Sequence, residues 1–280
     1  MLQRPRRNRK SAVIRDMIQE TRLDASNLIF PLFIVDGQNQ KTEVKSMPGI
    51  YRYSIDNLLK EVESCLKLGL RSFDLFPNIE ESLKDKYATE SYRDGSLYLR
   101  AIAAVKENFP EACIVTDVAM DPYSSDGHDG IVENGEILND ETLEVLGKMA
   151  LAHAQSGADI IAPSDMMDGR IGYIRELLDH NGFTNVSLMS YTAKYASAYY
   201  GPFRDALGSA PKHGDKKTYQ MNPANAKEAL IEAQLDAQEG ADFLMVKPGL
   251  PYLDIVKLLA DNFDLPIAVY NVSGEYAMLK

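Results

Sequence analysis

Short apolar runs alternate along this chain with longer segments in which apolar residues recur every three or four positions. The short runs are rich in β-branched and aromatic residues and predict strands, whereas the longer spacing predicts helices. Strands are expected near Leu28–Val35, Ser72–Phe76, Cys113–Ala119, Asp159–Ser164, Ser187–Thr192, Phe243–Lys247 and Pro266–Asn271. This alternation is typical of βα units built around a parallel sheet.

Two of the helices between these strands carry clear start and stop signals. Ser54 precedes a segment with apolar residues at positions 55, 58, 59, 62 and 66, and Gly69 follows it. That spacing predicts a helix with one apolar face, ended by the glycine. Asn222 followed by proline predicts a second helix start, and this helix should run to Glu239, before Gly240.

The strand count bears on the architecture. A (β/α)₈ TIM barrel closes with eight parallel strands, and seven are found. Either the sheet is open and doubly wound, or an eighth βα unit lies outside the given chain. We favour the second, because Gly274–Ala277 reads as the opening of a further helix. We therefore expect an arm over residues 1–27 and a C-terminally incomplete barrel domain over residues 28–280.

Charge is divided unevenly along the chain. Six of the first fifteen residues are cationic and none is acidic. The net charge of −11 is therefore the sum of +6 on these residues and −17 on the rest of the chain. A body this acidic argues against nucleic acid as a partner. We expect the basic start to contact a neighbouring subunit, although a nucleic-acid or membrane arm is the alternative. Its Ala12-Val13-Ile14 step is too short for an amphipathic membrane anchor.

Neither the apolar runs nor the cysteines point to export or to a membrane. The longest apolar run, Leu28–Val35, has eight residues and includes Pro31, far short of a membrane span. The basic start lacks the apolar stretch of a signal peptide. Cys65 and Cys113 lie in apolar surroundings without a metal-type spacing, so we expect two buried, reduced thiols in a cytoplasmic protein.

Polar residues collect where the predicted strands end. The C-terminal mouth of a parallel barrel is where catalytic groups gather, so this clustering is informative. The residues concerned are Asp117, Asp121, Ser164, Asp165, Lys194, Lys247, Tyr270 and Ser273.

Two lysines give the sharpest chemical signal. Lys247 finishes an apolar strand and Lys194 follows the preceding one. Burial disfavours the ammonium form, and a second lysine across the same mouth adds charge repulsion. The neutral amine attacks a carbonyl to give a Schiff base, so we predict nucleophilic chemistry here. The alternative is that each lysine pairs with an acid or extends to the rim of the barrel.

A segment of 22 residues between the two lysines has no clear periodicity. It runs from Tyr199 to Gln220, which is long for a βα loop, and we interpret it as a mobile lid. Arg204, Lys216, Lys217 and Gln220 would supply hydrogen-bond donors for a substrate carboxylate. The alternative is a solvated loop without a function.

An acid-rich stretch follows the third strand. Asp117, Asp121, Asp126 and Asp129 offer oxygen ligands, which suit magnesium or calcium better than zinc. Taken alone, such a loop predicts a metal only weakly. His153 and His180 lie on predicted helices and His213 in the lid, so none forms a pair at metal-ligand spacing.

In these residues and in several longer segments, the chain resembles the porphobilinogen synthase (5-aminolevulinate dehydratase) family over nearly its whole length. The segments that carry the resemblance are Arg4-Pro5-Arg6-Arg7, Ser164-Asp165-Met166-Met167-Asp168-Gly169-Arg170, Tyr200-Gly201-Pro202-Phe203-Arg204, Met245-Val246-Lys247-Pro248 and Val272-Ser273-Gly274-Glu275-Tyr276. The resemblance implies a (β/α)₈ barrel, with an N-terminal arm that wraps a neighbour in a homo-octamer. It also implies a lyase that joins two 5-aminolevulinate molecules, expels two waters and gives porphobilinogen for tetrapyrrole and haem biosynthesis.

The resemblance also implies roles for individual residues. Lys247 would hold the substrate that contributes the propionate side, and Lys194 would hold the other as a second Schiff base. Arg204, Lys216 and Gln220 would bind one carboxylate, and Ser273 the carboxylate of the molecule on Lys247. The residues expected to line the pocket are Asp117, Ser164, Tyr200, Phe203 and, at the end of the last strand, Tyr270.

Two departures from the family pattern matter. Zinc-dependent members carry three cysteines at positions occupied here by Ala119, Asp121 and Asp129, so we expect no catalytic zinc. The acid-rich version resembles magnesium-responsive members, in which a helix glutamate corresponding to Glu232 binds an allosteric magnesium, chiefly through water. The family also continues for roughly another 45 residues, with a substrate-binding tyrosine on its eighth strand.

Two rival functions remain open at this point. A class I aldolase also uses a barrel lysine but ordinarily needs one Schiff base. A non-catalytic barrel kept for assembly or ligand binding is conceivable if the C-terminal unit is truly absent.

Overall fold

The computed structural model describes residues 1–280, except for the side chain of residue 205. Its strands are β1 (Ile29–Ile34), β2 (Lys41–Glu43), β3 (Tyr51–Tyr53), β4 (Ser72–Pro77), β5 (Cys113–Val118), β6 (Ile131–Glu133), β7 (Glu136–Leu138), β8 (Ile160–Pro163), β9 (Ser187–Lys194), β10 (Phe243–Lys247) and β11 (Ile267–Val269). Its α-helices are α1 (Ala12–Met17), α2 (Ile55–Lys67), α3 (Leu97–Asn108), α4 (Asn139–Gln155), α5 (Arg170–His180), α6 (Gly201–Leu207), α7 (Lys227–Glu239), α8 (Leu253–Asn262) and α9 (Ser273–Leu279). Short 3₁₀ helices lie at Pro5–Arg9, Ala25–Asn27, Glu81–Leu83, Thr89–Ser91, Ala198–Tyr200 and Leu250–Tyr252.

The strands predicted from apolar runs are confirmed as β1, β4, β5, β8, β9, β10 and β11. The largest differences lie at strand ends. β9 continues to Lys194, so this lysine is the last residue of the strand and does not follow it. β11 ends at Val269 and covers only part of the predicted run. Asp117 lies within β5, one residue before its end.

These strands lie side by side in chain order, and each neighbouring pair is parallel. Helices connect consecutive strands, and the strand order never reverses, which is the arrangement of a TIM-type barrel and not of a doubly wound sheet. Within the described residues, β11 pairs with β10 but not with β1, so the hydrogen-bonded ladder does not close. The eighth βα unit stays a prediction.

Two hairpins were not predicted. β3 pairs in parallel with the end of β1, with Phe33 opposite Arg52, and β2 pairs antiparallel with β3. β6 and β7 form a second hairpin in the loop after β5. Their strands have three residues each, which is too short for an alternating pattern to stand out. The first hairpin places Arg52 beside the mouth of the barrel.

One helix start was predicted correctly and one was wrong. α2 begins directly after Ser54, and Gly69 follows it with φ +91°, a left-handed conformation that suits glycine. α7 begins at Lys227, five residues after Asn222. The side chain of Asn222 accepts a hydrogen bond from the amide of Ala224 at 3.0 Å and so stabilises a turn instead of a helix start.

The lid segment, defined here as residues 198–220, contains more regular structure than its sequence predicted. A 3₁₀ turn leads into α6, which has proline at its second residue. Ala206 and Leu207 of α6 are fully buried against Phe33 and Phe76, beside the barrel mouth. The lid therefore carries its own apolar contacts to the barrel.

The apolar core has two layers. An apolar cluster of Val115, Ala162, Met189, Tyr191 and Met245 lies inside the sheet, and a larger core lies between the sheet and its helices.

The N-terminal segment, the cysteines and the helices can be compared with the sequence predictions. The helical segments of the first 27 residues bury none of their residues. Both cysteines are free thiols, but Cys113 is half-buried and not buried as predicted. In the described chain, no helix combines the length and the apolar character needed to cross a membrane.

Candidate active site

The two predicted lysines lie opposite each other at the ends of neighbouring strands. Lys194 ends β9, Lys247 ends β10, and the two residues are register partners. The register shifts within this ladder, because Ser190 pairs with Leu244 whereas Ala193 pairs with Val246. β9 therefore holds one extra residue, a bulge that brings Lys194 level with Lys247. Sequence periodicity did not predict this bulge.

Both lysines open into one small pocket at the mouth of the barrel. Its lining residues are Asp117, Asp121, Ser164, Lys194, Tyr200, Phe203, Arg204, Lys216, Gln220 and Lys247. All but Asp121 are residues singled out from the sequence for catalysis or substrate binding. The cavity has a volume of about 30 Å³, which is room for one or two water molecules. A larger molecule enters only if part of the wall moves.

Lys247 is surrounded by aromatic rings and almost fully buried. Its Nζ lies 4.2 Å from the ring centre of Tyr270, 4.9 Å from Tyr191 and 5.2 Å from Phe203. Burial, helped by the positive charge of Lys194, lowers the pKa of Lys247 to about 7. A substantial fraction of this side chain is therefore the neutral, nucleophilic amine near neutral pH.

Lys194 is equally buried but has a different environment. Its Nζ donates a hydrogen bond to the carbonyl oxygen of Ser164, at the end of β8, and lies 5.8 Å from the ring of Tyr191. The carbonyl holds the amine in place without supplying a counter-charge. The alternative in which the lysines extend to solvent is therefore wrong, since both side chains are only 6% exposed.

Two buried acids lie near the lysines. Burial is the main cause that raises the pKa of Asp117 on β5 and, more strongly, the pKa of Asp74 on β4. One oxygen of each carboxyl group, Oδ1, has no hydrogen-bond partner among the described residues. Asp74 was missed from the sequence. The sequence feature that could have identified it is its place as an acid in the middle of the apolar run Ser72–Phe76.

Lys216 does not point freely into the pocket. Its Nζ lies 3.0 Å from Oδ2 of Asp121 and 2.9 Å from Oδ2 of Asp129. Burial raises the pKa of Asp121 to about 6. At Asp129, burial also acts to raise the pKa, but the charges of Lys216 and Lys194 and the hydrogen bonds with Asp121 and Lys216 together outweigh it, and the pKa is lowered. The donor predicted for a substrate carboxylate is thus bound to two carboxylates of the protein.

The lid contributes the roof of the pocket. Tyr200, Phe203 and Arg204 come from the 3₁₀ turn and α6, and Gln220 comes from the lid's last residue. The hydroxyl of Tyr200 donates to the carbonyl oxygen of Tyr195 at 2.5 Å and lies 3.3 Å from that of Lys247. The guanidinium of Arg204 lies over the Tyr200 ring at 6.0 Å.

Two predicted binding residues lie beside the pocket and not among its lining residues. Tyr270 contacts Lys247 through its ring. Ser273 is turned toward the lid, where its Oγ accepts from the amide of Phe203 at 3.0 Å and donates to the carbonyl of Tyr199 at 3.1 Å. Ser273 therefore joins α9 to the lid in this structure.

Glu232 lies apart from the lysines, on α7. It is half-buried and lines a separate cavity of about 1010 Å³, together with Asp126, Asp168 and Glu228. Burial and the neighbouring acids raise the pKa of Glu232 to about 7, although Arg170 opposes the shift. Among the described residues, no group of three or more histidine, cysteine or acidic side chains is arranged to hold a metal directly.

The structure also locates the positions where the family's zinc site would be. Ala119 provides no ligand, and Asp121 and Asp129 are both paired with Lys216. A soft thiolate site does not fit these residues, because two carboxylates engaged with an ammonium replace the sulfur ligands.

Comparison with known proteins agrees with this geometry. A family model described as delta-aminolevulinic acid dehydratase matches residues 2–280. The solved delta-aminolevulinic acid dehydratase (porphobilinogen synthase) of Toxoplasma gondii ME49, in complex with the reaction product porphobilinogen, superposes with a TM-score of 0.97 and 51% identity. The superposition covers all of this chain and 80% of that one.

Curated relatives give the same result. The chain is 57% identical over 279 residues to the chloroplastic delta-aminolevulinic acid dehydratase 1 of Arabidopsis thaliana. It is 54% identical over 276 residues to the Chlamydia pneumoniae enzyme. Each alignment covers 99% of this chain, but only 65% of the plant relative and 83% of the bacterial one. On the strength of the whole-chain family match and these identities, the chain belongs to the delta-aminolevulinic acid dehydratase family.

Proposed function

We propose that this protein is a porphobilinogen synthase, a lyase that condenses two 5-aminolevulinate molecules into porphobilinogen with loss of two waters. The observation that carries the proposal is the pair of buried lysines, Lys194 and Lys247, opposite each other in one pocket. Two ketone substrates need two amines for activation, and a class I aldolase ordinarily needs only one. The family match and the product named in the solved relative's complex support the same reaction.

The proposed chemistry begins at Lys247, whose lowered pKa supplies the neutral amine. The amine attacks the ketone of one substrate, the oxygen leaves as water, and a Schiff base remains. Lys194 activates the second ketone in the same way. Loss of a proton next to one iminium gives an enamine, whose carbon attacks the other iminium carbon. The lysine on the attacked carbon then leaves as a free amine, while a proton is lost from the neighbouring carbon and a double bond forms between the two carbons. The amino group of the molecule that contained the attacked carbon adds to the remaining iminium carbon, displaces the second lysine and closes the ring, and loss of a last proton gives the pyrrole.

Asp117 is the proposed proton carrier for these steps. It is buried in the same pocket, its pKa is raised, and one of its oxygens has no hydrogen-bond partner among the described residues. A buried carboxyl group whose pKa is raised can both take and return protons, which iminium–enamine exchange requires.

The substrate carboxylates would be bound by residues that now hold partners within the protein. We propose that Arg204, Lys216 and Gln220 bind the carboxylate of the molecule on Lys194, and Ser273 with Tyr270 that of the molecule on Lys247. Lys216 is paired with two aspartates and Ser273 with the lid. Substrate binding then involves an exchange of partners at both residues.

Product formation tests this function directly. Purified protein is incubated with 5-aminolevulinate, and the pyrrole is detected with an aldehyde colour reagent. We expect turnover by the native protein, none above background by Lys247→Met, and unchanged turnover by Lys257→Met, an exposed lysine paired with Asp261. Absence of the pyrrole with native protein would refute the proposal and leave a non-catalytic barrel as the better account.

We further propose that Glu232 binds an allosteric magnesium ion, largely through water. The acids around its cavity fit a hard, hydrated cation, which prefers oxygen ligands. The ion would supply positive charge at a boundary between subunits. Calorimetric titration with magnesium should give a binding signal that Glu232→Ala loses and the exposed control Glu133→Ala keeps. Equal binding by both variants would place the ion elsewhere.

The division into an arm and a barrel carries a proposal about assembly. Residues 1–27 bury none of their helical residues and concentrate positive charge, whereas the barrel domain, residues 28–280, is acidic. We propose that the arm binds the body of a sister subunit in a homo-octamer. Light scattering should give an octamer for the native chain and smaller species when Arg6, Arg7 and Arg9 are replaced by glutamate. An unchanged mass would contradict this role.

Both thiols are free, and we therefore propose that the protein works in a reducing compartment, the cytoplasm. Plant relatives are named as chloroplastic, so cell fractionation with an antibody against this chain is the test.

A further inference from the structure

The last carbonyl groups of α6 are held by polar side chains from elsewhere in the barrel. The carbonyl oxygen of Ala206 accepts from Nε of Arg52 at 2.7 Å and from Nδ2 of Asn78 at 3.3 Å. The carbonyl oxygen of Gly208 accepts from Nζ of Lys84 at 2.8 Å. We call these three donors the anchor residues. They come from β3, from the residue after β4 and from the loop that follows it.

Lys84 also belongs to a small group of charged side chains. Its side chain is only 4% exposed, and its Nζ also lies 3.2 Å from Oε2 of Glu81. The other oxygen of Glu81 accepts from Nζ of Lys212 at 2.5 Å. The carboxylate therefore joins the anchor to the turn that follows α6, so the lid is held at two points from one loop.

These contacts satisfy backbone groups that a helix leaves unpaired at its C-terminus. The last carbonyl groups of a helix have no partner within it and carry partial negative charge, so cationic donors are favourable there. Gly208 ends α6 with φ +62°, and a side chain at this position would point toward Lys84 Nζ and Asn78 Nδ2. Both donors thus converge on the same end of α6.

The position of α6 decides the geometry of the pocket. Phe203 lies 5.2 Å from Nζ of Lys247, and Arg204 lines the same cavity. With about 30 Å³ of free volume, the pocket admits two substrate molecules only after the lid moves. The anchor contacts hold the end of α6 in the arrangement that encloses this pocket.

We propose that Lys84, together with Arg52 and Asn78, is a positioning residue of the reaction: it holds the C-terminal end of α6 and so keeps Phe203 and Arg204 against the lysines. This inference rests on the proposed function, since it names the residues that position the lid of that site. None of the three is among the residues that line the pocket.

Hydrogen exchange of the lid and steady-state kinetics together test the proposal. Lys84→Met keeps the apolar stem and removes the donor, Lys84→Arg keeps a donor, and Lys86→Met is the control, a lysine that lies over the Tyr87 ring. Loss of one charge-assisted hydrogen bond corresponds to about a tenfold change. We expect Lys84→Met to exchange about tenfold faster at residues 201–212 and to raise KM for 5-aminolevulinate by a similar factor. kcat should change less, and Lys84→Arg and Lys86→Met should behave as the native protein.

Exchange in Lys84→Met at the native rate, or an equal rise in KM for Lys86→Met, would overturn the proposal. Asn78→Ala provides a second, milder test if Lys84→Met folds poorly, and it should change both readouts in the same direction. The exchange measurement needs no substrate. If the native protein makes no pyrrole, the proposed function fails, whereas the exchange rates still decide whether Lys84 holds the lid.

Discussion

Lys194 lies directly opposite Lys247 across the ladder between β9 and β10, because a bulge in β9 realigns the two strands by one residue. In a regular strand Lys194, three residues after Tyr191, would face the opposite side of the sheet. With the bulge, both side chains face the barrel interior, where Tyr191 contacts each lysine. The charge of one amine then acts on the other within a buried site.

This relationship predicts how the protonation of Lys247 responds to loss of its neighbour. Burial and the charge of Lys194 lower the pKa of Lys247 to about 7, so the neutral amine increases as pH rises through 7. Lys194→Met removes the repulsion, and the midpoint should move to higher pH by on the order of one unit. Reductive methylation of Lys247 with formaldehyde and borohydride, followed across pH, measures this midpoint. The exposed control Lys217→Met should leave it unchanged, and equal midpoints in both variants would contradict the coupling.

The buried Asp74 should make the folding stability of the protein depend on pH. Its pKa is raised well above the usual value by burial and by Asp117, so the folded state keeps a proton that the unfolded chain loses. The folded state is therefore favoured at low pH, and its stability falls as pH rises above the unfolded pKa near 4. Asp74→Asn removes this loss, by roughly 1.4 kcal/mol for each unit of pKa shift.

Urea unfolding at pH 5 and pH 8 checks the sign. We expect Asp74→Asn to gain stability relative to the native protein as pH increases. A difference between the two proteins that is constant with pH would mean that Asp74 titrates normally. Asp261→Asn, on the exposed surface of α8, is the matched control.

Truncating the buried Arg170 side chain should destabilise the folded protein strongly. It is 2% exposed, its Nη1 lies 3.4 Å from Oδ1 of Asp236, and its Nη2 donates to Oγ of Ser190 at 3.0 Å. Arg170→Met leaves Asp236 and Asp165 buried without their cation, which should lower the free energy of unfolding by about 3–5 kcal/mol. The exposed pair of Arg100 and Asp36 offers a control, since Arg100→Met should cost less than about 1 kcal/mol. Similar losses for both variants would show that the buried network contributes little.

A side chain at position 274 should displace the lid by steric contact. A Cβ atom at this position would lie 2.4 Å from Cδ1 and 2.8 Å from Cα of Tyr199, which is too close for either atom. Gly274→Ala should therefore displace the start of the lid and lower kcat/KM by about tenfold or more, because small displacements of positioning groups cost that much. Gly201→Ala, with no atom within 4 Å of its Cβ, is the control in the lid itself. Equal kinetics of the two variants would contradict the effect.

The regular elements of the barrel could be predicted from the periodicity of apolar residues in the sequence. Apolar runs located the parallel strands, and the polar residues at their ends account for four of the nine predicted residues that line the pocket: Asp117, Ser164, Lys194 and Lys247. The other five come from the lid, and of these Tyr200 and Phe203 were expected only from the family resemblance. The features that the sequence did not predict depend on contacts between distant segments. The bulge in β9, the pairing of Lys216 with Asp121 and Asp129, and the turning of Ser273 toward the lid are all of this kind.

Three further errors have local causes. Asn222-Pro223 has the composition of a helix start, but the asparagine side chain bonds to the amide of Ala224 and stabilises a turn. α6 has only seven residues, too few for a helical period to be recognised, so the lid was interpreted as a loop without regular structure. Asp74 was overlooked because a single acid in an apolar run does not change the strand prediction.

In the proposed mechanism, both lysines form Schiff bases with substrate. Borohydride reduction in the presence of 5-aminolevulinate, followed by peptide mass mapping, tests it most directly. We predict covalent substrate on the peptide that contains Lys247 and on the peptide that contains Lys194. Label on Lys247 alone would instead favour a single-Schiff-base enzyme of the class I aldolase type, and label on neither lysine would contradict the mechanism.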